Sequence, residues 1–309
     1  VLEKLRSLEG SSPENVARIL TAMKPVLAPE IQDSGVPGFY RLQTPGLNGD
    51  PDLQYLVQLP PDYDPYRKYR AIVTLNGAGS SPQQQLDWWT GAYDEKMKMR
   101  MGQAGRHGYI VIAPYWQQGN SQKYGYTARE HAAVLFSLRD ACQRFAIDTD
   151  RVFLTGHSMG GDAAWDIGLA HPDLWAGVIP ITATADKYVS LYWENGRQVA
   201  FYFVGGEMDG NRLAQNARDL NRYLTRPGFD TMIVEYRGRG HEHFYDEIIR
   251  IFDWMNLHQR EFPQREFTCS SLRPWDNFFW FVELAGFPER SMVVPLAWPK
   301  PQSRVANTE

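Results

Sequence analysis

The stretch Arg151-Val152-Phe153-Leu154-Thr155-Gly156-His157-Ser158-Met159-Gly160-Gly161-Asp162-Ala163-Ala164-Trp165 decides how the chain is read. Residues 151–155 read as a strand, with the short apolar run that suits one. The last five residues open a helix rich in small side chains. Between them, Gly156-His157-Ser158-Met159-Gly160 fits G-x-S-x-G, a pattern whose required setting is strand, sharp turn, helix. The flanking glycines let the backbone turn and approach its neighbours without a Cβ clash. Ser158 then projects its hydroxyl above a sheet edge, at a helix N-terminus whose dipole favours developing negative charge.

Working outward, apolar runs alternate with helical stretches from residue 69 onward. The runs at 71–75, 109–113, 152–155, 178–181, 199–204 and 232–236 suit strands buried on both faces of a parallel sheet. The helical candidates are 83–104, 127–145, 159–170, 210–225 and 244–257. This rhythm predicts an α/β fold with a mostly parallel central sheet and helices on both faces. Upstream, 38–42 and 53–59 read as an antiparallel pair around a turn rich in Pro, Gly, Asn and Asp. A first helix is expected after Ser12 as cap and Pro13 in the first turn. Val16, Ile19, Leu20 and Met23 follow helical spacing, and Pro25 and Pro29 end it. After Arg260 two aromatic runs, 266–272 and 278–284, read as strands joined by Arg273-Pro274-Trp275-Asp276-Asn277. They predict a C-terminal β extension packed on the main domain, or else the start of a further β domain. The expected organisation is a helical segment 1–36, a catalytic domain 37–259, the β extension 260–298 and a disordered tail 299–309.

Composition narrows the function. The chain has 309 residues with 32 Lys+Arg against 36 Asp+Glu, a net charge of -4, which argues against nucleic acid as the main partner. No apolar run approaches the roughly 20 residues of a membrane span. Cys142 and Cys269 fit neither a disulfide framework nor a zinc site. The chain opens at Val1 with no signal-peptide pattern. A soluble protein is expected, with an extracytoplasmic setting left open and the oligomeric state unknown. Neither G-x-G-x-x-G nor G-x-x-x-x-G-K-[ST] occurs, which argues against dinucleotide or ATP chemistry. His241 and His243 are two apart, wrong for one helix face, and H-E-x-x-H is absent. No metal and no organic cofactor are expected.

A serine hydroxyl needs a base. Of His107, His131, His157, His171, His241, His243 and His258, only the last three follow a late strand, as the order Ser, acid, His requires. His241 sits in the glycine loop Arg237-Gly238-Arg239-Gly240-His241 just after the 232–236 run and is favoured over His243. His258 ends a helix. The acid that fixes the imidazole is expected at Asp209, on the loop after 199–204. Asp186 is its main rival and Glu207 a lesser one. Oxyanion donors are expected at the Met159 N–H and in Asn76-Gly77-Ala78-Gly79-Ser80, with Ala78 first and Gly79 next.

With Asn76-Gly77-Ala78-Gly79, Asp209 and Gly240-His241-Glu242, the elbow resembles an α/β-hydrolase over roughly residues 50–258. Within that superfamily the chain is similar to phospholipase/carboxylesterase, polyhydroxybutyrate-depolymerase-like and feruloyl-esterase-like enzymes, and to catalytic domains of prolyl-oligopeptidase-type peptidases. Asn76 departs from the His that relatives usually carry before Gly. The 273–280 stretch resembles the C-terminal extension of some bacterial hydrolases in longer chains. The resemblance implies a serine carboxylesterase working through an acyl-enzyme. Its substrate would be a small-molecule or polysaccharide-linked ester.

Aromatics at the strand ends are the candidates for substrate contact: Trp88, Trp89, Trp116, Tyr188 and Trp193, with Tyr115, Tyr124, Tyr126 and Tyr192 nearby. Gln117, Gln118, Asn120 and Gln122 add polar groups that suit carbohydrate. The short separation of Ser158 and Asp209 leaves no room for a large lid. Arg218, Arg222, Arg226, Arg237 and Arg239 form a basic patch that reads as a solvated face or a lure for acidic groups. The alternatives are a serine peptidase and a non-catalytic binding module on the same fold.

Overall fold

A computed structural model describes residues 3–4, 7, 10–27, 35–117, 121–262, 264–287 and 307–308. The first helix, α1 (Pro13–Ala22), starts where Ser12 accepts a hydrogen bond from the Asn15 N–H. Its apolar residues Ile19 and Leu20 are exposed, as is Met23 just after it. Strands β1 (Phe39–Thr44) and β2 (Leu53–Gln58) pair antiparallel, and β2 lies antiparallel on β6 (Tyr109–Pro114). The remaining pairs are parallel: β6 with β3 (Tyr69–Leu75), β3 with β7 (Ile147–His157), then β8 (Gly177–Ile181), β9 (Ala200–Gly206) and β10 (Thr231–Tyr236). The eight-stranded order is β1-β2-β6-β3-β7-β8-β9-β10. After β3 the chain steps to β6 on one side and then to β7 on the other, and the parallel pairing from β6 to β10 puts the C-terminal ends of these strands on one edge.

Helices cover both faces, which is why the central strands read as continuous apolar runs. One layer of core contains Leu138, Trp165, Leu169, Tyr192, Leu220 and Tyr223 from α4 (Ala128–Arg144), α5 (Met159–Ala170), the short α6 (Val189–Tyr192) and α7 (Arg212–Thr225). The other contains Leu86, Trp89, Ile251, Phe252 and Met255 from α2 (Pro82–Thr90) and α8 (Ile248–Leu257). Capping boxes start α2 (Ser81 with Gln84) and α4 (Thr127 with Glu130). Among the described residues no helix is long and apolar enough to cross a membrane.

Two expectations need correction. The stretch 83–104 is not one helix: α2 ends at Gly91, a two-residue hairpin of β4 (Tyr93–Asp94) and β5 (Met99–Arg100) follows, and the short α3 (Gln103–Arg106) completes it. Arg100 holds that hairpin to α2, donating to Asp87 Oδ1 and to the Gly91 carbonyl. The aromatic runs after Arg260 do not pair with each other. Phe278–Phe279 (β12) pairs with Val282–Glu283 (β13), and β11 is only Ser270–Ser271. Side chains hold this segment, since strand pairing is minimal: Asn195 brackets Ser270 with two bonds, and Tyr192 donates to Asp276 and accepts from the Leu272 N–H. The tail expected from 299 lies outside the described residues except at 307–308, and so do Gln118 and Asn120.

Candidate active site

Strand β7 delivers His157 and Ser158 to the sheet edge, and α5 begins at once. Ser158 has φ 55° and ψ -120°, the left-handed side of conformational space, which costs a non-glycine residue on the order of 1–3 kcal/mol. The surroundings enforce it. The Ser158 N–H donates to the Ile181 carbonyl at 2.9 Å and to Thr182 Oγ1 at 3.1 Å. The turn is so tight that a Cβ at Gly156 would lie 2.1 Å from the Gly160 carbonyl oxygen, and one at Gly160 would lie 2.2 Å from that of Leu75. The elbow glycines are therefore dictated by backbone contact.

The 76–80 loop packs directly on this turn. A Cβ on Gly77 would sit 2.9 Å from the His157 carbonyl oxygen and 3.2 Å from Ser158 Cβ. Asn76 is buried and shapes the loop by donating to the Ser80 carbonyl at 2.5 Å. Gln117 spans it from the β6 side, donating to the Asn76 and Gly77 carbonyls at 3.3 Å. Among the described residues, the Ala78 and Met159 N–H groups reach no loop or side-chain acceptor. Met159 is the first residue of α5, whose opening N–H groups have no intrahelical partner.

At the ends of β9 and β10, two loops close on each other. The Met208 N–H donates to the Arg239 carbonyl at 2.8 Å, the Glu207 N–H to Tyr236 at 3.0 Å, and the Gly238 N–H to the Glu207 carboxylate at 2.9 Å. This clasp brings His241 Nδ1 to 2.9 Å from both carboxylate oxygens of Asp209. Asp209 is buried, while the His241 side chain is 44% exposed. Arg212 braces the acid: its Nε is 3.5 Å from Asp209 Oδ1, and its Nη1 donates to the Thr182 carbonyl and Thr184 Oγ1. The rivals are engaged elsewhere. Asp186 caps the Lys187 N–H, and Glu207 serves the clasp.

Asp209 and His241 are thus joined, and Ser158 is joined to the glycine loop. Among the described residues, Ser158 and His241 form no hydrogen bond with each other. What links their two halves is His157. Gln85 donates to its Nδ1 at 2.8 Å, so Nε2 carries the proton and donates to the His243 carbonyl at 3.0 Å. Burial lowers the His157 pKa to about 3, so the ring stays neutral and keeps this tautomer. Nearby, on the first turn of α5, burial raises the Asp162 pKa to about 6. Its carboxylate accepts from the Thr184 N–H at 2.6 Å. His157 as a linker, Arg212 and Gln117 were not assigned these roles from sequence. Only Arg212, three residues after Asp209, carried a local signal.

The substrate candidates divide. Trp88 is half-buried and stands edge-on to His157 (4.9 Å between centroids) and Tyr245 (5.5 Å). The other four are corrections. Trp89, Trp116, Tyr188 and Trp193 are buried core residues, between 0% and 6% exposed. Trp89 bonds Thr74 and packs on Phe252, Trp116 packs on Tyr124, Tyr188 packs on Tyr126 and Tyr192, and Trp193 stacks on Phe229. Large aromatics bury so much apolar area that packing wins wherever they can be enclosed. In the basic patch, Arg218 and Arg222 pair with Asp219, and Arg239 with Glu242 and Asp246. Among the described residues one group of three metal-donor side chains converges, His131, His171 and Asp276, and it lies outside this site.

No protein-family model matches the sequence, and no curated protein is detectably similar to it. Solved structures are similar in fold. A thermostable esterase matches with a TM-score of 0.56 at 21% identity, covering 73% of this chain and 64% of that one. A dipeptidyl aminopeptidase IV described as putative, from Bacteroides ovatus, matches with a TM-score of 0.55 at 15% identity, covering 72% and 36%. A ferulic acid esterase matches with a TM-score of 0.54 at 16% identity, covering 70% and 96%. The chain therefore spans under two thirds of the length of the first two. The sheet order, the serine turn and these likenesses together give the chain the α/β-hydrolase fold.

Proposed function

We propose that the chain is a serine hydrolase of carboxylic esters, with Ser158 as nucleophile, His241 as base and Asp209 as the acid that orients it. The observation that carries this reading is the pair of 2.9 Å contacts from His241 Nδ1 to Asp209, at the same sheet edge as the strained Ser158. Asp209 accepts a hydrogen bond from Nδ1–H, which leaves the Nε2 lone pair free to take the serine proton. Ser158 Oγ then attacks the ester carbonyl, and the Ala78 and Met159 N–H groups receive the oxyanion. The imidazolium protonates the leaving alcohol, and water activated by the same nitrogen releases the acid. The unit doing this is residues 37–259. Trp88, half-buried beside His157, is the aromatic assigned to substrate contact. The exposure of His241 suits an open site that admits small-molecule or polysaccharide-linked esters.

The test is hydrolysis of p-nitrophenyl esters of graded acyl length and of a feruloyl ester, beside aminoacyl p-nitroanilides. Ester turnover that falls about 10⁶-fold in kcat in Ser158→Ala is expected. Cleavage of the anilides alone would replace this reading with a peptidase, and no turnover of either class would replace it with a binding role.

A further inference from the structure

Charge is buried where α4, α5 and the C-terminal segment meet. Arg273 donates from Nη1 to Asp166 Oδ2 at 2.9 Å and from Nε to Asp276 Oδ2. Tyr192 donates to that same Asp276 oxygen at 2.9 Å. One guanidinium therefore faces two carboxylates, and all three groups are buried. The other oxygen of Asp276, Oδ1, has no hydrogen-bond partner among the described residues. It lies 3.4 Å from His131 Nδ1 and 3.4 Å from His171 Nε2, and those two nitrogens are 3.2 Å apart.

A buried carboxylate oxygen with no donor is costly. The three atoms around it form a nearly equilateral triangle. Ligands held ~2.05 Å from a tetrahedral ion stand about 3.3 Å from one another, so the triangle has the size of one face of a zinc coordination shell. The imidazole of His131 is oriented to match. Its Nε2 lies 3.2 Å from Asp166 Oδ2 and 2.8 Å from the Tyr124 hydroxyl, which itself donates to Asp166. A proton on Nε2 shared with Asp166 leaves the Nδ1 lone pair aimed into the triangle. A carboxylate behind a histidine is the usual support of a metal-bound imidazole.

We propose that His131 Nδ1, His171 Nε2 and Asp276 Oδ1 form a buried site for a divalent transition-metal ion. The donor set of two imidazoles and one carboxylate favours zinc, with water in the fourth position. The ion joins three parts of the chain: His131 on α4, His171 at the C-terminus of α5, and Asp276 in the C-terminal segment. It also supplies positive charge where one arginine faces two carboxylates. Spacings of 40 and 105 residues between its ligands match no local metal motif, which is why the sequence does not announce it.

The experiment is metal analysis of the folded chain after chelation and reloading with zinc or cobalt, with thermal melts alongside. One bound zinc per chain is expected, with a melting temperature raised by zinc and left unchanged by magnesium. Cobalt should give the visible absorption of a tetrahedral site. Asp276→Asn and His171→Ala should lose the ion, while His258→Ala, altered at a histidine paired with Asp230 on another face, should keep it. A folded wild type that takes up neither metal overturns the site, and so does uptake that persists in both ligand variants. If those variants do not fold, the wild-type stoichiometry, cobalt spectrum and melting shift decide by themselves.

Discussion

Asp209 and Asp162 stand close to the same histidine and do opposite things. Asp209 touches the His241 ring with both oxygens and is braced by Arg212. Replacing it with Asn turns an acceptor toward Nδ1 into a group that can donate, which favours the wrong tautomer. A fall in kcat of about 10⁴-fold with stability nearly unchanged is expected. Steady-state kinetics beside a melt check it, and a loss below tenfold would remove Asp209 from the proposed triad. Asp162 is a stability residue whose pKa burial raises to about 6 from 3.8. The folded state holds that proton more tightly than the unfolded chain does. Its stabilising effect is complete below the unfolded pKa and fades as pH rises through about 6. Asp162→Asn keeps an acceptor for the Thr184 N–H without the charge. The variant should match wild type near pH 4 and exceed it at pH 7 by on the order of 2–3 kcal/mol. Denaturant unfolding at the two pH values reads the difference, and a gap that does not change with pH would refute the burial argument.

At the scale of elements, the site depends on two loops being locked to each other and to the elbow. Gly206 is where β9 meets the His241 loop. A Cβ there would lie 2.3 Å from the Arg239 carbonyl oxygen and 2.4 Å from that of Gly240. Gly206→Ala should push the clasp open, costing kcat at least tenfold and about 1–3 kcal/mol of stability. Wild-type activity in that variant would show that the clasp tolerates being spread. His157→Phe fills the same space without the bond to the His243 carbonyl, so it should lower kcat with KM little changed. A change confined to KM would assign His157 to substrate binding instead. The strand-turn-helix around Ser158 and the His241 loop were legible because local patterns make them: apolar runs, then glycines at a fixed spacing. The break inside 83–104 was not, because Arg100 holds the hairpin there through contacts that periodicity does not report. The burial of Trp89, Trp116, Tyr188 and Trp193 was equally hidden. Position at a strand end does not say whether an aromatic ring turns toward solvent or beneath its loop.

Across the whole molecule, the C-terminal segment is fastened to α5 by groups far apart in sequence, which pattern reading cannot pair. Arg273 reaches Asp166 on α5 and stacks over Tyr188 at 4.2 Å, while the Trp280 N–H donates to Asp173 just beyond the same helix at 3.1 Å. These contacts tie residues 260–287 to the α/β core formed by residues 37–259. Arg273 is buried, so removing its charge leaves two carboxylates uncompensated rather than merely losing a bond. Arg273→Met, which keeps much of the apolar stem, should cost about 3–5 kcal/mol. That cost should appear as one cooperative transition at lower denaturant, followed both by tryptophan fluorescence and by loss of ester hydrolysis. If the segment were an independent appendage, the fluorescence would shift while activity melted at the wild-type midpoint. Coincident midpoints, both lowered, are the outcome that makes the segment part of the catalytic fold. They would also place the stability of the Ser158 elbow under the control of a charge more than a hundred residues downstream.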